Sequence, residues 1–126
     1  MISIPIAISL GAILGALSRY YVTLFWIEKR GRAFPHGTLF VNITGAFLIG
    51  FMSILATRYD FPLAMQKLII VGFFGSYTTF SSYILDSAIL FRRHDNVTGF
   101  IYWLGSPVLG FIAIELGIWI ARTMGS

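Results

Sequence analysis

The chain has 126 residues, of which 57% are hydrophobic and only 11% are charged, and its mean hydropathy is +0.83. A soluble protein of this length cannot enclose so much apolar surface, so the composition predicts an all-α integral membrane protein. The absence of cysteine excludes disulfides, thiolate metal sites and cysteine nucleophiles. The net charge of +4 is spread over short links without a basic run, so nucleic acid is not an expected partner.

Four apolar stretches each have about the 20 residues that a helix needs to cross a bilayer. They predict spans at about 2–25, 37–57, 64–91 and 98–121, which together make one four-helix domain over residues 1–126. The first stretch lacks a basic segment before it and is too long for the core of a signal peptide, so we interpret it as a span. Because the links are short, the function is expected to lie within the membrane region.

The basic residues of the links give a weak orientation signal. One side carries Lys29, Arg30, Arg32, Arg92 and Arg93, and the other carries Arg58, Lys67, Arg122 and the N-terminal amine. A chain so evenly balanced could insert in both orientations and pair as an antiparallel dimer, although a modest preference for one orientation is equally compatible with these charges.

Small residues predict closely packed helices, and Gly11 and Gly15 stand at GxxxG spacing. Four helices enclose little space, so any aqueous path inside one subunit would be narrow. A dimer or larger assembly is therefore the expected functional unit.

Polar residues inside the spans form pairs that share a helix face, because the two residues of each pair are four positions apart. The pairs are Thr38 and Asn42, Thr78 and Ser82, Thr79 and Tyr83, and Tyr102 and Ser106. Any single hydroxyl can bond its own helix backbone and act only in packing. Asn42 is different, because a carboxamide in mid-membrane has two donor hydrogens and an acceptor to satisfy and needs a polar neighbour.

The third stretch is expected to break near 75–79, because Gly75, Thr78 and Thr79 are poor helix formers. Freed carbonyls can bind a cation, while the N-terminus of a half-helix that begins near Phe80 favours an anion. Phe80 and Tyr83 could turn their positively polarised ring edges toward that anion. The alternative is an unbroken helix in which the hydroxyls and rings only pack.

The segments 37–42 (GTLFVN), 72–75 (GFFG) and 78–81 (TTFS), together with Arg19, resemble the Fluc/CrcB fluoride channels in order and over the whole chain. The resemblance implies an antiparallel, dual-topology dimer of four-helix subunits in the inner (plasma) membrane, surrounded by lipid. Two pores would export fluoride passively and relieve fluoride toxicity, and a structural sodium ion would lie at the dimer interface. Some family members pair different subunits, so a heterodimer stays open.

The resemblance and the polar stripes together assign residues to three sites. The fluoride pore would be lined by Thr38, Asn42, Thr79, Phe80, Ser82, Tyr83, Tyr102 and Ser106. Arg19 would stand in a vestibule, and the backbone carbonyls of Gly75 and Thr78 would hold sodium. The chain departs from the family pattern where Tyr83 replaces the usual second Phe of the aromatic box, Ser76 a Gly, and Gly110 a frequent hydroxyl.

Uncharged donors suit fluoride, which is small and strongly hydrated and enters a dry pore only where hydrogen-bond donors replace its water without holding it too tightly. No nucleophile and base pair or metal cluster is evident, so an enzyme is not expected. Among the charges inside the spans, Arg19 and Asp86 could pair or line a vestibule. Glu115 is predicted not to line the pore, because it points away from the face of Tyr102 and Ser106.

Two other functions remain open at this point. A small multidrug-resistance exporter is also a short four-helix protein that works as an antiparallel dimer, but it needs a membrane-embedded Glu in its first helix, and residues 1–27 contain no acidic residue. A non-transporting membrane assembly subunit would leave Asn42 and the hydroxyls of the third span in packing roles.

Overall fold

The computed structural model describes residues 2–124, which form four helices long and apolar enough to cross a membrane, and no strand. Helix α1 is Ile4–Arg30, α2 is His36–Arg58, and the last helix, α5, is Asn96–Met124. The third span, Leu63–Arg92, comprises α3 over residues 63–77 and α4 over Phe80–Arg92. The prediction of an all-α protein with four membrane-spanning helices is confirmed. The N-terminal amine counted above, and residues 125–126, lie outside the described residues.

Helix α1 begins and ends at residues suited to its termini. The Ser3 side chain accepts a hydrogen bond from the Ile6 N–H at 3.4 Å at the N-terminus. The helix continues past the predicted span end at residue 25, because Trp26 packs on the rings of His36 and Phe40 at 5.9 and 5.5 Å between centroids. It ends at Gly31, whose φ of +76° is in the left-handed region that glycine adopts without strain.

The helices come into direct backbone contact at glycine residues, as the small residues predict. A Cβ added to Gly11 or Gly15 of α1 would overlap the carbonyl oxygen of Leu68 or Phe73 in α3. Gly117 of α5 meets the Phe47 carbonyl oxygen of α2 in the same way. These contacts set the spacing of α1 against α3 and of α2 against α5.

The third span changes its backbone geometry along its length. Helix α3 starts with Leu63–Gln66, continues as a π-helical stretch over Lys67–Phe74, and closes with one turn at Gly75–Tyr77. Thr78 and Thr79 then have extended backbone, with φ and ψ of −81° and 157° and of −149° and 116°. The Thr78 N–H still donates to the Phe74 carbonyl at 3.1 Å, but the Thr79 N–H and the carbonyls of both residues need partners outside the helix at this depth.

Two buried clusters pack on either side of this extended segment. One contains Val41, Phe74 and Tyr77, and the other contains Tyr83, Leu90 and Tyr102. They anchor the end of α3 and the beginning of α4 against α2 and α5, so the polar segment between them is held in place from both sides.

Candidate functional site

Asn42 holds the extended segment through both of its side-chain groups. Its Nδ2 donates to the Thr79 carbonyl at 2.9 Å, and its Oδ1 accepts from the Thr79 N–H at 2.7 Å. The polar neighbour that the carboxamide requires is therefore backbone. The second Nδ2 hydrogen has no acceptor among residues 2–124, so one donor of Asn42 is free.

Other backbone groups near the extended segment are bonded from three directions. The Arg19 guanidinium donates through Nε to the Ser76 carbonyl at 3.0 Å. The Thr79 hydroxyl accepts from the Ser82 N–H at 3.2 Å and so caps the N-terminus of α4. The Thr78 hydroxyl donates to the Phe74 carbonyl at 3.0 Å. The segment is thus fixed by α1, by α2 and by its own side chains.

The cavity beside this segment, which we call the inner cavity, has a volume of about 370 Å³. It brings together six of the predicted site residues, which come from α2, the extended segment, α4 and α5. These are Asn42, Thr78, Thr79, Phe80, Tyr83 and Ser106. The rest of its wall is apolar, from Ala46, Ile49, Pro107 and Ile114, and no charged residue lines it.

Two further cavities lie along α2, and each shares a lining residue with the next. The middle cavity, of about 550 Å³, is lined by Arg19, Thr38, Thr79 and Ser82 among others, and shares Thr79 with the inner cavity. The outer cavity, of about 120 Å³, shares Thr38 with the middle one and reaches the first link and Asp86. From residue 36 to residue 49, α2 thus follows the three cavities for about 20 Å at its rise of 1.5 Å per residue.

Two hydroxyls of α5 are buried without partners. The Tyr102 side chain is 2% exposed, and neither its Oη nor the Ser106 Oγ has a hydrogen-bond partner among residues 2–124. A buried donor left unsatisfied costs about 1–3 kcal/mol, so the Ser106 hydroxyl, which belongs to the lining of the inner cavity, is available to a polar guest. Tyr102 lines none of the three cavities.

The Tyr83 ring stands between the rings of Phe80 and Tyr102, at centroid distances of 5.9 and 5.6 Å. Its hydroxyl is turned away from this group and donates to the Trp103 carbonyl of α5. The structure therefore offers the cavity the ring of Tyr83 and not its hydroxyl.

The chain matches a model of the family described as "CrcB-like protein, Camphor Resistance (CrcB)" over residues 6–118, which is most of its length.

The chain belongs to the CrcB family.

Curated relatives of this CrcB-family chain carry the name "Fluoride-specific ion channel FluC". The protein of that name from Synechococcus sp. (strain JA-2-3B'a(2-13)) is 48% identical over 120 residues, which are 94% of this chain and 92% of the relative. The one from Trichormus variabilis is 48% identical over 123 residues, covering 96% and 90%. The one from Hydrogenobaculum sp. (strain Y04AAS1) is 44% identical over 113 residues, covering 89% and 92%.

Four residues singled out in the CrcB-family sequence take places away from the inner cavity. Gly75 is exposed at the end of α3 and lines none of the three cavities. Arg19 lines the middle cavity and bonds Ser76, whereas Asp86 lies in the outer cavity, so the two do not meet. Glu115 is exposed and lines none of the three cavities.

Asp86 lines the outer cavity, although it is not among the residues that the sequence predicts for the pore. Its carboxylate lies near enough to the hydroxyls of Thr38 on α2 and Tyr102 on α5 to interact with them electrostatically, although no hydrogen bond joins it to Tyr102 among residues 2–124. The sequence feature that could have identified Asp86 is its charge inside a membrane span, because charged residues in spans are functional candidates by default. The sequence alone could not show that Thr38 and Tyr102 would face it, because that contact depends on how α2, α4 and α5 pack.

Proposed function

We propose that this chain is a subunit of a fluoride channel, which lets fluoride leave the cell passively down its electrochemical gradient and so relieves fluoride toxicity. The names of the curated relatives support this function for a multi-pass protein of the plasma membrane, and they are names of channels and not of enzymes. The observation that carries the proposal is the inner cavity, where uncharged donors without protein partners converge and no charged residue is present.

The free donors around the cavities suit an anion that must shed its water. The second Nδ2 hydrogen of Asn42 and the hydroxyl of Ser106 belong to residues that line the inner cavity from α2 and from α5. The Phe80 and Tyr83 rings add edges with positive quadrupole potential. These groups together replace part of a hydration shell, and because none is charged, the anion can leave again.

Arg19 supplies the attraction that brings fluoride to this region. Its guanidinium lines the middle cavity while Nε is held on the Ser76 carbonyl, so the charge is fixed beside the path without standing in the inner cavity. Fluoride would pass from the outer cavity by Thr38 and Ser82 to Thr79, which the middle and inner cavities share.

The functional unit we propose is an antiparallel homodimer, with a heterodimer as the alternative outcome of the test. Phe80 is 74% exposed beside the inner cavity, and Gly75 of the same span is also exposed. A second copy that covers this face would close the cavity, and the weak charge bias of the links allows that copy to insert in the opposite orientation.

A sodium ion is proposed as the structural cofactor of that dimer. The carbonyl oxygens of Gly75 and Thr78 accept no hydrogen bond from residues 2–124, and Gly75 is exposed on the face expected to meet the partner. Unwound backbone carbonyls of this kind are suitable ligands for Na⁺, so the residues present fit the ion. When bound, it would join the two extended segments and neutralise their carbonyl dipoles.

Removal of sodium tests this cofactor. We expect the melting temperature of the dimer in detergent to rise with sodium concentration and to stay low when N-methylglucamine replaces sodium at equal ionic strength, because a ligand that binds only the folded dimer stabilises it. Equal melting temperatures in the two salts would contradict the proposed ion while leaving the fluoride function untouched.

Fluoride efflux from liposomes that contain the purified protein tests the function itself. The liposomes contain potassium fluoride, and valinomycin is added so that potassium can leave and balance the charge of the exported fluoride. We expect a fluoride electrode to record rapid efflux without a proton gradient. Proton-driven export of a lipophilic cation would instead support an exporter of the small multidrug-resistance type. Absence of both would support a non-transporting assembly subunit.

The Ser106→Ala variant tests the role of an unpartnered hydroxyl. Hydrogen bonds to charged groups are worth about 1.5–3 kcal/mol, so we expect fluoride efflux to fall roughly tenfold. The melting temperature should not fall, because the hydroxyl has no partner in the protein. The matched control is Ser9→Ala, whose hydroxyl bonds the Pro5 carbonyl of its own helix at 2.8 Å and should be replaceable without loss of flux. Equal fluxes in the two variants would contradict the role of Ser106.

A further inference from the structure

Pro107 lies inside α5 and interrupts its backbone hydrogen bonding. Proline has no N–H, so the carbonyl four residues earlier, that of Trp103, loses its normal helical donor. A backbone carbonyl left without a donor in a membrane protein is costly, because lipid offers no replacement.

The Tyr83 hydroxyl of α4 provides the missing donor. It donates to the Trp103 carbonyl, so a side chain of one helix completes the backbone of the other. Tyr83 is 8% exposed, and its ring is held between Phe80 and Tyr102 with interplanar angles of 50° and 46°. The hydroxyl bond and these two ring contacts together define the orientation of the Tyr83 ring.

This bond acts on the turn of α5 that carries both unpartnered hydroxyls. Tyr102 directly precedes Trp103, and Ser106 directly precedes Pro107. Ser106, Pro107 and Tyr83 all line the inner cavity. The link from Tyr83 to the Trp103 carbonyl therefore joins the ring at the inner cavity to the turn of α5 that carries the Ser106 hydroxyl.

We propose that Tyr83 is a positioning residue for anion passage and that it works only together with Pro107. The proline exposes the Trp103 carbonyl, the tyrosine hydroxyl bonds it, and the ring edge of Tyr83 and the hydroxyl of Ser106 are thereby set at the inner cavity. This inference rests on the proposed fluoride function and adds the groups that control the geometry of its site.

Four proteins test the pair: the wild type, Tyr83→Phe, Pro107→Ala, and the double variant. Fluoride and chloride effluxes are measured in liposomes, and melting temperatures are measured in detergent. In the Tyr83→Phe variant, the Trp103 carbonyl has no donor, so we expect fluoride efflux to fall about fivefold, which corresponds to one hydrogen bond. We also expect the ratio of chloride to fluoride flux to rise, because the ring is no longer fixed, and a role in stability alone would not change that ratio.

In the double variant, the N–H of residue 107 can bond the Trp103 carbonyl, so the hydroxyl of Tyr83 is no longer required. In the Pro107→Ala background, we expect Tyr83→Phe to change the fluoride flux and the chloride-to-fluoride ratio by less than twofold. The melting temperature should change by less than the experimental error. The Tyr21→Phe variant is the matched control, because Tyr21 is 64% exposed and its hydroxyl bonds nothing among residues 2–124.

The inference fails if Tyr83→Phe has the same effect with Pro107 as with Ala at that position, or no effect in either. A wild type that carries no fluoride would overturn the proposed function instead. The coupling of the two substitutions in melting temperature would then still decide whether the hydroxyl and the proline act as a pair.

Discussion

Replacement of Asn42 by Ala is expected to abolish measurable fluoride efflux. The substitution removes the acceptor of the Thr79 N–H, the donor to the Thr79 carbonyl, and the free Nδ2 hydrogen at the inner cavity. Each buried group left without a partner costs about 1–3 kcal/mol, and a loss of about 2.7 kcal/mol already corresponds to roughly a hundredfold in rate. Efflux from liposomes at equal protein density measures the effect.

The control for Asn42 is Thr57→Ala in the same helix. The Thr57 hydroxyl bonds only the Ser53 carbonyl of its own helix, at 3.2 Å, and lines none of the three cavities. It should therefore conduct like the wild type. If Asn42→Ala conducted as well as Thr57→Ala, the carboxamide would be a packing residue and the proposed path would be wrong.

Replacement of Gly45 by Ala is expected to lower both the stability and the fluoride flux. A Cβ at this position would overlap the Thr78 methyl group and come within 3.2 Å of the Tyr77 ring. Overpacking of this kind costs about 1–3 kcal/mol, and here the displaced residue belongs to the extended segment. We expect a lower melting temperature and a fall in efflux of about tenfold or more, because a shift of Thr78 also moves Thr79 relative to Asn42.

Gly110→Ala is the matched substitution, since a Cβ at Gly110 meets nothing within 4 Å. Alanine is the better helix former by about 1 kcal/mol, so this variant should be as stable as the wild type or more so and should conduct normally. Two variants with equal flux would show that the contact between Gly45 and Thr78 does not control the path.

The four spans were predictable because hydropathy and length determine which segments can cross a bilayer. The weak helix formers at Gly75, Thr78 and Thr79 indicated where to look for irregular backbone, and Asn42 had to find a polar neighbour. None of these signals could show that the neighbour is the backbone of Thr79, because that contact depends on how α2 packs against the third span.

The hydrogen bonds made by Arg19 and Tyr83 could not be predicted from the sequence either, because they also depend on how the helices pack. Arg19 could have paired with Asp86 or lined a vestibule, and the structure shows its guanidinium lining the middle cavity and bonding the Ser76 carbonyl. Tyr83 was predicted to line the pore as part of a polar pair and through its ring edge, and its hydroxyl bonds the Trp103 carbonyl. Both side chains bond carbonyls released by an irregular backbone, and identifying such partners requires the path of the chain as well as the residue types.

The π-helical stretch at Lys67–Phe74 also determines which way the residues after it, in the extended segment and α4, face around the axis of the third span. A π-helical turn holds more residues than an α-helical turn, and each residue of an α-helix advances the chain by about 100° around its axis. Deletion of a single residue between 67 and 74 would therefore rotate α4 by about that angle and carry Thr79 away from Asn42. The length of this stretch, and not only its composition, therefore determines whether Thr79 faces Asn42.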